Sequence, residues 1–339
     1  MIRTAVIGYG YWGPNLIRNL AELADSTLAG IADARADRQA LARRRYPTVR
    51  VVGEASDLIA DATVDAIVIA TPTSTHYALA LEALQAGKHV LVEKPLAATS
   101  DEARRLIDEA ARRSLILMVD HTFVYTSAVQ AIKELVSTDQ LGELYYYDSV
   151  RVNLGLFQHD VDVLWDLAVH DLAIMDFVLP TKPYTVSAVG MRHIGDHADI
   201  AYLTLLHEDA LIAHVHVNWL APVKIRRTLV GGSRKMIVFD DVEPSEKLKI
   251  FDKGVSLADS AHGVYEMMVN YRLGDIWSPR LALTEALATE LEHFLRCIDQ
   301  GSRPVTDGEA GLRVVTVLEA ATQSMANGGQ PIELNPTLA

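Results

Sequence analysis

The N-terminal segment constrains the fold of this chain most strongly. The apolar run Thr4–Ile7 predicts a short buried strand, and a glycine-rich segment follows it directly and opens a helix, in the order Gly8-Tyr9-Gly10-Tyr11-Trp12-Gly13. The first two glycines would let the backbone turn tightly and approach a pyrophosphate, and the third would let the helix pack closely on the strand. The sequence therefore predicts a dinucleotide-binding turn, with Gly8, Gly10, Tyr11, Trp12 and Gly13 as the candidate cofactor-binding residues.

The order of strands and helices predicts two domains. From residue 1 to about residue 122, short apolar strands alternate with helical periods, which is typical of a parallel, doubly wound sheet. After about Phe123, strand-like segments follow one another without helices between them, which predicts a mostly antiparallel sheet. The predicted fold class is therefore α/β, with a Rossmann domain over residues 1–122 and an α+β domain with a large open sheet over residues 123–339.

Composition excludes several classes of function. The formal net charge of −13 opposes binding to nucleic-acid backbones and anionic membranes, which both attract basic surfaces. No apolar run approaches the roughly 20 residues that a membrane span needs. The single cysteine, Cys297, excludes an intrachain disulfide and a Cys-rich zinc site, and the scattered histidines predict no metal site. We expect a soluble, cytoplasmic protein without nucleic-acid or membrane partners.

Asp33 strengthens the prediction of a dinucleotide site. It ends the second predicted strand, 20 residues after Gly13, where a carboxylate would chelate the ribose hydroxyls of the cofactor. The same carboxylate would repel a 2′-phosphate, so NAD is favoured over NADP. Arg35 and Arg38 are close enough in sequence to contact such a phosphate, which keeps NADP possible. A glycine turn of purely structural use is the alternative, and the agreement of strand, spacing and acid argues against it.

Further candidate cofactor contacts follow the fourth predicted strand. The segment Thr71-Pro72-Thr73 lies at the carboxyl edge of the predicted sheet, where ligands of open α/β folds bind. The hydroxyls of Thr71 and Thr73 could hydrogen-bond the cofactor. His76 begins the next helix at this edge, and we expect it to cap or pack there rather than to catalyse.

Lys94 is the strongest candidate for a catalytic residue. It follows the apolar strand His89–Glu93 and therefore belongs to the same carboxyl edge, where its ammonium would face a bound cofactor. Glu93 places a negative charge beside it, and both residues are also candidate cofactor contacts. Pro95 fixes the local backbone, and a cis bond before it would aim the lysine. The alternative is a solvated lysine in a surface ion pair.

A second polar cluster occurs in Trp165–Asp171, within a predicted helix that runs to about Leu179. Asp166 and His170 are four residues apart, which places them on one face of a regular helix. An imidazole beside a carboxylate is suited to moving a proton. Asp171 is expected to orient the helix or the ring. A solvent-facing Asp–His pair is the alternative, and the apolar flanking residues argue against it.

These motifs together resemble the glucose-fructose oxidoreductase, inositol dehydrogenase and rhizopine catabolism family, called Gfo/Idh/MocA. The most specific segment of the resemblance is Gly87–Pro95, which ends in Glu-Lys-Pro. The resemblance implies that Lys94, Asp166 and His170 line a substrate site beside the nicotinamide, and that the second domain forms oligomer contacts. It implies NAD(P)-dependent oxidation or reduction of a sugar, a cyclitol or a nucleotide-linked sugar.

The substrate segment departs from the common family pattern. Trp165 precedes Asp166 and Ala168 stands two before His170, where glycines are usual. The segment that starts at Arg151 is similar to the branch that acts on activated or aminated sugars. Its polar residues are candidate substrate contacts, although ordinary strand-edge or loop polarity explains each equally well. These residues are Arg151, Asn153, Gln158 and His159.

The resulting hypothesis assigns three roles. His170 takes the proton of a substrate hydroxyl, Lys94 hydrogen-bonds the same oxygen, and Asp166 positions the sugar. Two alternatives remain: a non-catalytic NAD(P)-binding regulator on the same scaffold, and a dehydrogenase of a non-sugar substrate such as a dihydrodiol. The open face of a large sheet needs covering, which predicts a homodimer or homotetramer.

Overall fold

The computed structural model describes residues 1–155, 161–257 and 269–334, and it divides into two compact units. The first unit contains Met1–Thr126 and Thr284–Glu319, and the second contains Ser127–Leu283 and Ala320–Leu338. The sequence-based boundary at residue 122 lies close to the first division. Residues 284–319, which the sequence pattern assigned to the second domain, belong to the first unit.

The first unit contains a six-stranded sheet in the order β3-β2-β1-β4-β5-β6. Every neighbouring pair in it is parallel, which confirms the predicted doubly wound Rossmann sheet. The central strand β4 is buried along its whole length, as expected for a sheet covered on both faces. The strands are β1 (Ile2–Ile7), β2 (Ser26–Ala32), β3 (Arg50–Val52), β4 (Ala66–Ile69), β5 (His89–Glu93) and β6 (Leu117–Asp120).

Helices of the described chain follow the apolar periodicity of the sequence. In the first of them, Leu16, Ile17 and Leu20 form the buried stripe that packs on the sheet. The helices are α1 (Gly13–Glu22), α2 (Ala36–Arg45), α3 (Ser56–Ile59), α4 (Thr73–Gln85), α5 (Ser100–Arg113), α6 (Ser127–Ser137), α7 (Val169–Val178), α8 (Ala286–Gln300) and α9 (Gly308–Ala326), with a 3-10 turn at Thr122–Tyr125.

Long-range contacts explain why residues 284–319 join the first unit. Helix α8 packs against α1 and the 3-10 turn. The backbone N–H of Val119 donates to the Thr306 carbonyl at 2.8 Å, and the Thr306 hydroxyl donates back to the Val119 carbonyl at 2.8 Å. Arg18 of α1 forms an ion pair with Glu285 at 2.6 Å. These contacts extend the Rossmann core with a late segment of the chain.

The second unit contains a nine-stranded sheet in the order β16-β13-β12-β11-β7-β10-β9-β8-β17. Its pairs are antiparallel except β7 with β10, which confirms the predicted open, mostly antiparallel sheet. A separate pair joins β14 to β15. The strands are β7 (Leu144–Leu154), β8 (Pro183–Met191), β9 (Ile200–His207), β10 (Ile212–Asn218), β11 (Leu220–Gly232), β12 (Met236–Asp240), β13 (Leu248–Phe251), β14 (Gly254–Leu257), β15 (Val269–Arg272), β16 (Ile276–Trp277) and β17 (Ile332–Glu333).

The two faces of this sheet differ in burial. Along β9 the side chains alternate between buried and accessible positions, as a half-covered sheet requires. Helix α7 contacts β7, so it contributes to the cover of the buried face. On the accessible face Tyr202 stacks on His216, with ring centroids 4.3 Å apart.

The helices of the described residues are too short or too polar to cross a membrane. A crossing needs roughly 20 consecutive, mostly apolar residues in one helix.

Candidate cofactor and substrate sites

The glycine turn after β1 has a backbone that only glycine fits at two positions. Gly8 has a φ of 107°, a value that residues other than glycine rarely adopt, and a Cβ there would overlap the Ala70 carbonyl oxygen. A Cβ on Gly13 would overlap the Gly8 carbonyl oxygen. A Cβ on Gly10 would meet nothing closer than Arg35 Nη2 at 3.7 Å, so the chain leaves room on that side. The N-terminus of α1 begins directly after this turn and favours an anion.

Asp33 lies at the carboxyl end of β2 and is held by two backbone donors. The N–H groups of Tyr9 and Arg35 donate to its carboxylate at 2.8 and 2.9 Å. Burial opposes ionisation of Asp33, but these bonds and the Arg35 guanidinium outweigh it, so its pKa is lowered. The Arg35 side chain also donates to Asp33, from Nε at 3.3 Å and from Nη2 at 3.5 Å. An ionised carboxylate accepts about four hydrogen bonds, so ribose hydroxyls would have to replace these two long bonds.

Arg35 is the cation closest to this carboxylate in the described contacts. Its Nε lies 3.3 Å from Asp33, and its side chain is 54% exposed. Arg38 instead pairs with the neighbouring Asp37 at 3.6 Å. The guanidinium of Arg35 is therefore committed in part to Asp33, which weakens the case that it serves a 2′-phosphate.

His76 joins the loops that follow β4 and β5. Its Nδ1 lies 2.8 Å from the Pro95 carbonyl oxygen and its Nε2 lies 2.9 Å from the Thr71 carbonyl oxygen. The residue is 1% exposed, so it packs inside the unit, as the sequence favoured. Helix α4 begins at Thr73 with Pro72 at the preceding cap position, and no side chain caps it. The hydroxyls of Thr71 and Thr73 remain the candidate cofactor contacts in this loop.

Lys94 immediately follows β5 and is half-buried. Its peptide bond to Pro95 is cis. Glu93, the last residue of β5, pairs in register with Asp120, the last residue of β6. Because all six strands are parallel, Lys94 lies at the same carboxyl edge as the glycine turn and Asp33. The backbone space at the turn, the carboxylate after β2 and this edge fit a bound dinucleotide.

A buried acid pair near this edge was not predicted from sequence. The Trp12 indole Nε1 donates to Asp120 Oδ2 at 2.8 Å, and the Thr122 hydroxyl donates to Asp120 Oδ1. Glu290 of α8 faces Asp120 and is 0% exposed. A signal did exist, because Glu290 stands three residues after Leu287 and four before Phe294, on the apolar stripe of its helix.

In the second unit, Asp166 lies in a π-helical turn, Leu164–Ala168, which continues directly into α7. A π-helical turn closes over five residues instead of four. Four residues are still close to one full turn in it, so the shared face of Asp166 and His170 stays a prediction. The Trp219 indole donates to Asp166 Oδ2 at 3.0 Å, and both Asp166 and His170 are half-buried. Single π turns are frequent at functional sites.

Arg151 is placed beneath α7 in a buried ion pair. Its Nε donates to Asp171 Oδ2 at 2.6 Å, and the Ser149 hydroxyl donates to Asp171 Oδ1 at 2.5 Å. The Tyr147 hydroxyl donates to the Asp171 carbonyl at 3.1 Å. With 3% exposure, Arg151 orders the helix that carries His170 instead of offering its charge to a ligand. A charged residue within a strand gives no sequence signal that separates these two roles.

The remaining candidate substrate contacts divide between described and undescribed residues. Asn153 lies near the end of β7 and is partly buried. Gln158 and His159 lie outside the described residues. Within the described ranges, no group of three or more His, Cys, Asp or Glu side chains could hold a metal ion.

Two family models match the chain. The model described as the Gfo/Idh/MocA oxidoreductase family, NAD-binding Rossmann fold, matches residues 2–121. The model of the C-terminal alpha/beta domain of the same family matches residues 133–334.

Individual relatives are similar over nearly the whole chain. UDP-N-acetylglucosamine 3-dehydrogenase of Acidithiobacillus ferrooxidans is 32% identical over 323 residues, which cover 93% of this chain and 94% of that protein. A solved structure of the enzyme of that name from the same organism superposes with a TM-score of 0.79 at 30% identity, covering 96% of this chain and 97% of the other. Myo-inositol 2-dehydrogenase of Thermotoga maritima is 24% identical, covering 96% of each protein.

Proposed function

This chain belongs to the Gfo/Idh/MocA oxidoreductase family, and we propose that it is an NAD-dependent dehydrogenase that oxidises a secondary hydroxyl of a nucleotide-linked aminosugar. The observation that carries the proposal is the position of Lys94, directly after β5 at the carboxyl edge where the glycine turn and Asp33 also lie. A non-catalytic regulator would need the cofactor turn but not an ammonium at this edge.

The similarity to UDP-N-acetylglucosamine 3-dehydrogenase supports the substrate class. At 32% identity over 93% of this chain, that enzyme is a better guide than the inositol dehydrogenase at 24%. We therefore take UDP-N-acetylglucosamine as the first candidate substrate and its 3-hydroxyl as the first candidate position. The purified protein should reduce NAD faster with UDP-N-acetylglucosamine than with N-acetylglucosamine or myo-inositol. Equal rates with free and nucleotide-linked sugar would reject the substrate class.

Three side chains carry the proposed chemistry. His170 accepts the proton of the hydroxyl that is oxidised, and Lys94 donates a hydrogen bond to the same oxygen as negative charge develops on it. Asp166 accepts a hydrogen bond from a neighbouring sugar hydroxyl and fixes the ring. NAD, when bound, accepts the hydride from the carbon. Reduction of a ketosugar uses the same groups in reverse.

Two contacts of the second unit support these roles. The Trp219 indole holds one oxygen of Asp166, which restricts the rotamers of the carboxylate. The Arg151–Asp171 pair ties the start of α7 to β7, and His170 is the neighbour of Asp171. A residue that must meet a small ligand needs such support, because a misplacement of about 1 Å can cost about a hundredfold in rate.

NAD is expected to stabilise the protein against heat more than NADP at equal concentration. The Asp33 carboxylate would repel a 2′-phosphate, and Arg35 is partly neutralised by its pair with Asp33. A ligand at about 100 times its Kd adds about 2.7 kcal/mol to the free energy of unfolding, so thermal denaturation resolves the difference. Asp33→Asn should lose most of the preference, and Asp57→Asn, an exposed carboxylate on α3, should keep it. Greater stabilisation of the wild type by NADP would refute the assignment.

The accessible face of the nine-stranded sheet supports a homo-oligomer. Large apolar side chains are exposed there at positions where a solvated sheet normally has polar residues. Among them are Val189, Tyr202, Leu206, Ile212 and Ile225. We infer that copies of the chain associate through this face as dimers or tetramers. Light scattering should give a mass of at least two chains, and Tyr202→Glu should lower it; a monomeric wild type would reject this inference.

A cytoplasmic location completes the proposal, because the cofactor that the enzyme needs is supplied inside cells. Cell fractionation checks this location directly.

A further inference from the structure

The proposed chemistry leaves one buried feature unexplained, the acid pair of Asp120 and Glu290, which Trp12 links to the glycine turn. Glu290 is fully buried, and among the described residues neither of its oxygens has a hydrogen-bond partner of good geometry. The Asp120 carboxyl and the Thr122 hydroxyl are the neighbouring polar side chains that act on it. Asp120 in turn accepts the indole N–H of Trp12, which is part of the glycine turn.

Burial and then the neighbouring Asp120 raise the pKa of Glu290 well above its ordinary value. The elements packed around α8 add few compensating charges. Glu93 of β5 is a further acid, and the pKa of Tyr125 in the 3-10 turn is itself raised, by burial and then by Glu290. Arg18 of α1 is engaged by Glu285. Two ionised carboxylates would repel each other strongly in this buried environment, which favours the protonated, neutral form of Glu290.

We propose that Glu290 is a positioning residue that fixes the cofactor-binding turn through Asp120 and Trp12. As a neutral acid, Glu290 has one O–H to donate, and the Asp120 carboxylate is the acceptor that faces it. The Asp120 carboxylate accepts from Trp12 and Thr122, and a proton on Glu290 would give it a third donor. Its bond to the indole links the glycine turn to β6. The late helix α8 thereby supports the glycine turn at the start of the chain.

Two substitutions of Glu290 should differ in their effect on NAD affinity. Glu290→Gln keeps the size, the neutrality and a donor toward Asp120, so it should leave NAD affinity within about twofold of wild type. Glu290→Leu keeps the approximate volume but removes the donor. Because a hydrogen bond to a charged group contributes about 1.5–3 kcal/mol, this variant should bind NAD about tenfold more weakly. Trp12→Phe removes the indole donor and should lower the affinity for NAD by a similar factor. Glu292→Gln, an exposed position on the same helix, is the matched control.

Titration calorimetry of the full chain with NAD, without any sugar, tests these values. The double variant Glu290→Leu with Trp12→Phe should bind NAD no more weakly than the weaker single variant, because both act through Asp120. Wild-type affinity in Glu290→Leu would overturn the proposal, and so would an equal loss in Glu290→Gln. The proposal rests on the assignment of an NAD site and not on the sugar substrate, so NAD binding without turnover of any sugar would leave this test intact.

A pH series supplies a second readout that survives poor folding of the leucine variant. Below about pH 4.5 the Glu290 carboxyl is protonated in both the folded and the unfolded chain. The free energy of unfolding should therefore change with pH in the same way in Glu290→Gln and in the wild type. Above that pH the unfolded chain ionises while folded Glu290 keeps its proton, and the wild type loses stability as pH rises. The unfolding constant of the wild type should therefore rise relative to that of Glu290→Gln by up to about tenfold per pH unit. Parallel pH curves would contradict a neutral Glu290.

Discussion

Replacing Lys94 with alanine is expected to lower turnover by about a hundredfold to a thousandfold, with NAD affinity nearly unchanged. The substitution removes the ammonium that would stabilise negative charge on the reacting oxygen, and loss of one such donor has an effect of this size. The glycine turn and Asp33, which are the proposed cofactor contacts, are not altered. Steady-state rates with UDP-N-acetylglucosamine and NAD, together with calorimetric NAD binding, measure both quantities.

The control for this experiment is Lys253→Ala, which removes an exposed ammonium from the other unit. It should have the turnover of the wild type. Full activity in the Lys94 variant would remove Lys94 from the mechanism. A loss of NAD affinity as large as the loss of turnover would make Lys94 a cofactor-binding residue instead.

Replacing Arg151 with alanine is expected to lower the free energy of unfolding by about 3–5 kcal/mol, because it leaves Asp171 buried without its cation. The side chains of the pair are only 4% and 3% exposed, so solvent screens the charge poorly. Urea unfolding followed by circular dichroism gives the value. The variant that also replaces Asp171 with leucine should recover most of the loss, since it removes the unpaired charge.

Arg227→Ala provides a matched control on β11, the strand next to β7. Arg227 pairs with Asp240 at 2.7 Å, but its side chain is 54% exposed. An exposed pair contributes about 0–1 kcal/mol, so this variant should be close to wild type. Equal destabilisation by the two arginine substitutions would show that burial does not set the importance of the Arg151–Asp171 pair.

The Rossmann unit was predictable because its signals are local. A strand, a glycine turn and an acid at fixed spacing specify the turn after β1, and Gly8 and Gly13 indeed leave no room for a Cβ. Lys94 could be assigned to the carboxyl edge because a parallel sheet brings every strand end to the same side. Consecutive strands without helices similarly predicted the antiparallel sheet of the second unit.

What escaped prediction depends on contacts between residues far apart in sequence. The segment that contains Thr306 joins the first unit through hydrogen bonds to Val119. No local sequence pattern predicts these bonds. From the sequence, Arg151 was a candidate substrate contact on a strand, but in the structure it forms an ion pair with Asp171 on a later helix. The π turn that contains Asp166 also lacks a local signal, because propensity patterns do not separate a widened turn from a regular one. Glu290 was detectable as an acid on an apolar stripe, but its partner Asp120 was not.

The most direct measurement of the central claim uses UDP-N-acetylglucosamine with deuterium at C3. After incubation with NAD and the wild-type protein, mass spectrometry of the nicotinamide product reports whether the hydride came from that carbon. We predict deuterium in the reduced nicotinamide with the wild type and only a trace with Lys94→Ala. Reduced nicotinamide without deuterium would contradict oxidation at C3. If NAD is not reduced with UDP-N-acetylglucosamine, N-acetylglucosamine or myo-inositol, the result would contradict the assignment of a sugar dehydrogenase.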